Sequence, residues 1–153
     1  MLRFFFDTSA LTKFYHPEIG TDKVKAIFQT PGAVLQVSNL GILEVQSAFG
    51  MKVRTQQITP DDAIILRHRV LGDVAAEVVK LIHLDSLHVS LAGTLVGKYG
   101  FTRRMRTLDA LQLAVAVDLQ KNGQLDVFVV ADRLLAEIAG LEGLSTLNPE
   151  DFP

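Results

Sequence analysis

Four acidic residues occupy stretches of this sequence that should otherwise build the core of the protein. Two of them end apolar runs, one lies inside a helical stretch and one opens a helix, and they are Asp7, Asp132, Glu44 and Asp109. A carboxylate in such surroundings is costly unless it has a partner. If the four side chains converge, a hard divalent cation bound through oxygen would satisfy them. The pattern therefore predicts a metal site built from carboxylates.

Each acid also has a simpler explanation as a helix cap. Asp7 and Asp132 follow predicted strands, where aspartate is a favoured N-cap, and Asp109 lies in a helix first turn, where the helix dipole favours a carboxylate. Taken singly, capping is the commoner role for these three. Glu44 differs, because no residue three or four positions from it on the helix is basic. An unpaired glutamate in a helix that is apolar on most sides is hard to explain by stability alone.

The elements that would position these acids alternate between strands and helices. Short apolar runs predict strands over residues 2–7, 33–37, 78–84, 127–131 and, briefly, 144–147. Caps and helical spacing predict helices over residues 9–15, 21–29, 39–54, 60 to about 77, 86–99, 107–122 and 133 to about 139. Strands that are apolar throughout favour an α/β fold with a parallel sheet covered by helices on both faces. Ligands bind beyond the carboxyl ends of such strands, where all four acids can reach one pocket.

Length and composition limit the class of protein. The 153 residues predict one domain over residues 1–153, and 48% apolar against 21% charged residues indicates a globular chain. The lack of cysteine excludes disulfides and agrees with a reducing, cytoplasmic location. No apolar run approaches the ~20 residues of a membrane span, and the N-terminus lacks the pattern of a signal peptide.

The basic residues are unevenly placed, although the net charge of −2 does not by itself indicate a nucleic-acid-binding protein. No acid lies between Asp85 and Asp109, whereas four basic residues fall in that interval. These four are candidates for contacts with RNA phosphates, with a solvated loop as the alternative. By position alone two further residues join them, so that the full set is Lys98, Arg103, Arg104, Arg106, Lys13 and Arg133.

Other chemistries find less support in the sequence. The four histidines show no paired spacing of the kind that zinc sites use. There is no Walker loop and no Gly-x-Gly-x-x-Gly stretch, and Asp7 lacks the second acid, two positions on, that a phosphotransfer aspartate would have. Thr8 and Ser9 could position a water molecule or a phosphate, or could simply begin the next helix. Arg106, three residues before Asp109, is the basic residue best placed to join them.

Four motifs in succession resemble those of a known family. They are LRFFFDTSAL at 2–11, LEV at 43–45, RTLDALQLA at 106–114 and VVADRLL at 129–135. Their order and spacing resemble a PIN domain, most closely the VapC-type toxins of bacterial toxin–antitoxin pairs. The resemblance implies a three-layer α/β/α sandwich with a central, mainly parallel sheet. It also implies a Mg²⁺- or Mn²⁺-dependent endoribonuclease whose catalytic metal ligands are Asp7, Glu44, Asp109 and Asp132.

The same resemblance implies RNA as substrate and a cognate antitoxin as partner. The apolar content adds the expectation of a homodimer, with helices 9–15 and 21–28 leaving surface for a partner or a second copy. One position departs from the family pattern, since Val130 stands where relatives often carry Ser or Thr. Two alternatives stay open at this point. The chain could be a non-catalytic PIN-like module that binds RNA or protein, or a PIN nuclease of housekeeping RNA processing.

Overall fold

The computed structural model describes residues 1–151 and contains a five-stranded sheet in which every neighbouring pair is parallel. The strands are β1 (Arg3–Phe6), β2 (Val34–Ser38), β3 (Lys80–Ile82), β4 (Val127–Val129) and β5 (Thr146–Leu147). Their order across the sheet is β3-β2-β1-β4-β5. The predicted parallel sheet is therefore confirmed.

Helices cover both faces of this sheet and complete the three-layer sandwich. In residues 1–151 they are α1 (Thr8–Tyr15), α2 (Thr21–Phe28), α3 (Asn39–Arg54), α4 (Pro60–Ala75), α5 (Ser86–Tyr99), α6 (Thr107–Lys121) and α7 (Arg133–Leu141). Successive side chains of a strand point to opposite faces. Accordingly Phe5 packs with α5, α6 and α7, whereas Phe4 and Phe6 pack with α1 to α4.

The strands β3 and β4 are shorter than predicted, because backbone N–H groups next to them bond to side chains or to a helix end instead of to a neighbouring strand. Ahead of β3, the N–H of Val78 donates to the carbonyl of Asp73 at the end of α4, at 2.9 Å. Beyond β3, the N–H of Leu84 donates to the Asn39 side chain at 3.1 Å. After β4, the N–H of Ala131 donates to the Ser9 hydroxyl at 3.0 Å. These residues do not belong to the strands.

The central strand β1 is the point where the chain order reverses. Strands β2 and β3 lie on one side of it, and β4 and β5 lie on the other. The N–H of Asp7 continues the ladder by donating to the Val129 carbonyl at 3.0 Å. A crevice at the carboxyl ends of the strands is the usual ligand site of such a sheet. The loops into α1, α3 and α7 begin at this edge of the sheet.

The expectation that α1 and α2 leave apolar surface for a partner is wrong for α1. Its apolar side chains are largely buried, and Phe14 stacks on Phe28 of α2 with ring centroids 3.8 Å apart. Exposed apolar side chains occur instead on α4 and α5, where they include Ile64, Ile65, Leu71, Leu87, Val89 and Val96. Within residues 1–151, no helix combines the length and the apolar character that crossing a membrane would require.

Candidate functional site

Asp7 lies where β1 passes into α1 and is only 6% exposed. It is the N-cap of α1, because its Oδ2 accepts hydrogen bonds from the N–H of Ser9 at 3.1 Å and from the Ser9 hydroxyl at 2.6 Å. Burial raises the pKa of Asp7 to about 6, against the opposing effect of the Ser9 hydrogen bonds. The capping role and the buried carboxylate are thus both present, and capping does not remove the cost of the charge.

Ser9 joins the first and last acidic segments of the sequence. Its hydroxyl donates to Asp7 and accepts from the N–H of Ala131, the residue before Asp132. This bridge fixes the end of β4 against the start of α1, with Asp132 next in the chain. Ser9 therefore has a positioning role that is more specific than beginning a helix.

Glu44 is half-buried in α3 and is held by neutral donors. Its Oε1 accepts hydrogen bonds from the Thr8 hydroxyl at 3.1 Å and from the Gln112 amide at 3.0 Å. Gln112 is 1% exposed, and its carbonyl oxygen accepts from the Ser38 hydroxyl at 2.9 Å. Gly41 lets the Gln112 side chain lie close to α3, because a Cβ at residue 41 would be only 3.1 Å from the Gln112 side-chain nitrogen.

Sequence reasoning did not single out Gln112, although the chain carries a signal for it. The residue stands in an otherwise apolar stretch of α6, among leucine, alanine and valine. A buried amide in such a helix requires hydrogen-bond partners from elsewhere in the fold. Here the partners come from α1, β2 and α3, so that Gln112 connects the third acidic motif with Glu44.

Asp109 and Asp132 line a common cavity of about 180 Å³ between the start of α6 and α7. Asp132 is the N-cap of α7, and its Oδ1 accepts from the N–H of Leu135 at 2.9 Å. Burial raises the pKa of Asp109, and the negative charge of Asp132 raises it further, while the positive charge of Arg106 opposes both. Two like charges therefore share this cavity, which Arg104 and Arg106 also line.

Electrostatic coupling connects all four acids. The charges of Glu44 and Asp109 raise the pKa of Asp7, and those of Asp132 and Glu44 raise the pKa of Asp109. In residues 1–151 none of the four forms an ion pair with lysine or arginine. Mutually repelling carboxylates without a basic partner are the surroundings that a divalent cation would relieve.

The same acids do not form a ready-made metal cage. Among the described residues, no group of three or more His, Asp or Glu side chains is arranged to hold a metal ion. Mg²⁺ usually keeps several waters and takes one or two carboxylates directly. An ion of that kind would need only one or two of the acids as direct ligands, and the others would act through water. The four-acid metal site stays a prediction.

A protein-family model matches most of this chain. The model of the PIN domain matches residues 4–141, which include all four acids. The chain belongs to the PIN domain family. No curated protein sequence matches it.

Solved structures share the fold of this PIN domain at low sequence identity. VapC20 of Mycobacterium tuberculosis, a Sarcin-Ricin loop cleaving toxin, aligns with a TM-score of 0.65 and 18% identity over 88% of this chain and 93% of that one. FitAcB from Neisseria gonorrhoeae aligns with a TM-score of 0.68 and 13% identity over 97% of this chain and 99% of that one. VapBC-1 from nontypeable Haemophilus influenzae aligns with a TM-score of 0.63 and 12% identity over 97% of this chain and 98% of that one. This similarity is one of fold.

The basic stretch of the PIN domain consists of Lys98, Arg103, Arg104 and Arg106. Two of these residues form ion pairs, and the other two line the cavity of Asp109 and Asp132. Lys98 forms an ion pair with Glu142 at 2.7 Å, and Arg103 forms one with Glu137 at 3.3 Å. The acid-free interval in the sequence therefore faces two acids from α7 and its C-cap in the fold. By contrast, Arg104 and Arg106 line the cavity that holds Asp109 and Asp132.

The two basic residues chosen by position alone lie in different surroundings. The Arg133 side chain is exposed and pairs with Asp151 at 3.1 Å. Lys13 is buried and pairs with Glu150 at 2.7 Å, so it does not stand free at the surface. Val130, at the position of the usual hydroxyl, packs fully buried in the core beneath α5 to α7. The PIN domain therefore has no hydroxyl at residue 130, and Ser9 holds the adjacent Ala131 N–H.

Proposed function

We propose that this PIN domain, as a single unit over residues 1–153, is a Mg²⁺- or Mn²⁺-dependent endoribonuclease that hydrolyses RNA phosphodiester bonds. The observation that carries the proposal is that hydrogen bonds and a shared cavity connect the segments of four acids that have no basic ion-pair partner in the described chain. Family membership supports it, because PIN domains are generally nucleases. The Sarcin-Ricin loop cleaved by VapC20 supports RNA as the substrate.

The residues of the site divide the work between holding an ion and fixing its ligands. Asp7, Glu44, Asp109 and Asp132 would hold the metal, directly or through water. A bound divalent ion supplies a water of lowered pKa and neutralises phosphate charge. Ser9 orients the Asp7 carboxylate, and Thr8 with Gln112 orients that of Glu44. Arg106 lines the same cavity as Asp109 and would contact the phosphate that is cleaved.

The biological role that we propose is that of the toxin in a toxin–antitoxin pair. Support comes from structural neighbours that were solved as VapBC and FitAB assemblies. On this proposal the partners are RNA, a cognate antitoxin and a second copy of the chain, in a reducing cytoplasm. The exposed apolar side chains of α4 and α5 provide surface for the protein partners.

The proposal is tested by pairing a cleavage assay with metal-dependent melting. Wild type should cleave a structured RNA in Mg²⁺ or Mn²⁺ and should melt at a higher temperature when the metal is added, since the ion binds only the folded state. Asp109→Asn should lose both effects. Asp126→Asn is the matched control, because Asp126 pairs with Arg3 at the opposite end of the sheet.

Two outcomes would redirect the assignment. Wild type that binds RNA but neither cleaves it nor melts higher in metal would be a non-catalytic module, an alternative favoured by the lack of a three-ligand group in the described residues. Active protein that does not arrest growth on expression would be a housekeeping nuclease rather than a toxin. Rescue of arrested cells by a co-expressed neighbouring gene would identify the antitoxin.

A further inference from the structure

Two lysines lie almost completely buried beside the acids, and the proposed catalysis does not use them. Lys13 of α1 and Lys52 of α3 have side chains that are only 5% and 6% exposed. Lysine is among the residues least often buried in this way. Sequence spacing gave no reason to connect the two, because they belong to different helices.

Two glutamates neutralise these lysines from the solvent side. Glu150 pairs with Lys13 at 2.7 Å, and Glu18 lies 3.7 Å from Lys13 and 3.5 Å from Lys52. The glutamate side chains are 36% and 34% exposed, so the cations lie inside and the carboxylates lie at the mouth. A buried ion pair is often no more stable than apolar residues of similar volume. Stability alone therefore gives little reason for this arrangement.

The lysine cluster, meaning Lys13, Lys52, Glu18 and Glu150, lines one open cavity of about 390 Å³ together with Thr8, Ser9 and Asp132. The cavity thus connects the lysines with the acidic site. On α3, Glu44 and Lys52 are eight residues apart, which corresponds to about 12 Å along the helix axis. Stacked nucleotides advance ~3.4 Å per phosphate along one strand, so a strand with one phosphate at the acids carries its neighbours toward the lysines.

We propose that Lys13 and Lys52 form a phosphate subsite for the RNA strand next to the cleaved phosphate, and that Glu150 and Glu18 occupy it when RNA is absent. The inference rests on the proposed function, since it names how that site holds its substrate. Lysine binds phosphate as a point charge. When RNA enters, a backbone phosphate replaces the Glu150 carboxylate on the Lys13 ammonium, and Glu150 moves into water.

This exchange avoids the main cost of opening a buried ion pair. Removing one partner of such a pair leaves a buried charge unpaired and is strongly destabilising. Here one anion replaces another, so Lys13 remains paired throughout. Glu150 is suited to leave, because it is partly exposed and belongs to the segment after β5 rather than to a helix.

The alternative is that the cluster only braces α1, α3 and the segment after β5. The two explanations predict opposite effects for Glu150→Gln. As a competitor of phosphate, Glu150 weakens RNA binding, so its neutralisation should tighten binding. As a brace, it supports the shape of the cleft, so its neutralisation should leave binding unchanged or weaken it.

The experiment measures binding of a short fluorescein-labelled oligouridine by anisotropy in EDTA, where no metal-dependent cleavage occurs. Relative to Asp126→Asn, which removes the same charge at the far end of the sheet, Glu150→Gln should lower Kd by about threefold or more. Lys13→Gln and Lys52→Gln should raise Kd and should each reduce the salt slope by roughly 0.7. Lys52→Arg should bind like wild type, and Glu150→Gln should have no effect in the Lys13→Gln background.

Equal Kd for Glu150→Gln and Asp126→Asn would overturn the subsite, and so would weaker binding by Glu150→Gln. This comparison decides the matter even if the buried lysine variants fail to fold, because Glu150 is partly exposed. Failure of the proposed nuclease is distinguishable from failure of the subsite. Absent cleavage with tighter binding by Glu150→Gln removes the nuclease alone, whereas normal cleavage without that tightening removes the subsite alone.

Discussion

Two charged regions lie on two cavities that are both lined by Asp132, and their buried charges are neutralised in different ways. Asp7 and Asp109 form no ion pair with lysine or arginine in residues 1–151, and burial raises the pKa of both carboxyls. Around Lys13 and Lys52 the charges cancel within the protein. On the proposed function, the acidic site would take a cation from outside, whereas the lysine cluster already contains its counter-charges and would only exchange one anion for another.

We expect the largest effect from Asp7→Asn, which should reduce RNA cleavage by at least about 10²-fold. The asparagine can still accept the Ser9 hydrogen bonds, so the fold should survive while the negative charge is lost. Single-turnover cleavage in Mg²⁺ measures the effect, and Asp126→Asn again serves as the control. Activity retained in Asp7→Asn would remove this carboxylate from the mechanism.

In the metal-free protein, neutralising an acid of the acidic site should raise the free energy of unfolding, whereas neutralising a glutamate of the lysine cluster should lower it. Because the folded-state pKa of Asp7 is raised to about 6, the folded protein holds a proton there that the unfolded chain releases near pH 4. The free energy of unfolding should therefore fall as pH rises from about 4 to about 6, and the full penalty should remain above that range. Asp7→Asn should remove this pH dependence and stabilise the protein at pH 7 by about 1–3 kcal/mol.

Glu18→Gln supplies the opposite case, since it leaves Lys52 without its carboxylate partner. It should destabilise the protein by about 1–3 kcal/mol at pH 7. Urea unfolding in EDTA, at several pH values, measures both variants. If Asp7→Asn and Glu18→Gln both destabilised the protein at pH 7, the acidic site would not be a source of strain.

A smaller effect is expected for Gln112→Leu, which keeps the side-chain volume but removes the amide. Glu44 would lose one of its two neutral donors, and the Ser38 hydroxyl would lose its acceptor. We expect roughly tenfold slower single-turnover cleavage and a higher Mg²⁺ requirement, because supporting partners of metal ligands typically contribute that much. RNA affinity in EDTA should stay unchanged. A loss of RNA affinity without a shift in the Mg²⁺ requirement would mean that Gln112 acts on the substrate instead.

The smallest effects should come from the basic stretch, and the structure divides it into two matched pairs. Arg104→Ala with Arg106→Ala removes the two residues that line the acidic cavity. This double variant should reduce the salt slope of RNA binding by roughly 1.4, or about 0.7 for each phosphate contact. Lys98→Ala with Arg103→Ala should change the slope less, because these two residues already form ion pairs with Glu142 and Glu137. Equal slopes for the two double variants would contradict this division, and an unchanged slope in both would place RNA elsewhere.

Much of the fold follows from local pattern. The prediction for α3, residues 39–54, coincides with the observed helix because Ser38 caps it through the N–H of Gly41. The strand starting at residue 78 was predicted too long because the apolar pattern does not reveal that the Val78 N–H closes α4. The rule for parallel strands predicts that the acids lie at one edge of the sheet, and this prediction requires no knowledge of side-chain contacts.

What the sequence could not reveal depends on partners that are far apart in the chain. Lys13 and Glu150 are 137 positions apart, so position in the sequence predicts Lys13 as a phosphate contact but does not reveal that it is buried and paired. Likewise, Glu142 reaches Lys98 across 44 positions, and a count of acids within one segment cannot include it. Ionic surroundings are a property of the folded surface, whereas periodicity is a property of the segment.

The pairing of β1 with β4 also sets an order of events in synthesis. The strand that precedes Asp7 is made first, but its neighbour β4 begins only at Val127. Until then one edge of β1 has no partner, and the end of the chain that carries Asp132 does not exist. At roughly 5–20 residues per second, the gap lasts many seconds on the ribosome. Because Asp7 and Asp132 follow two strands that pair in this way, the site cannot assemble while most of the chain is still being translated.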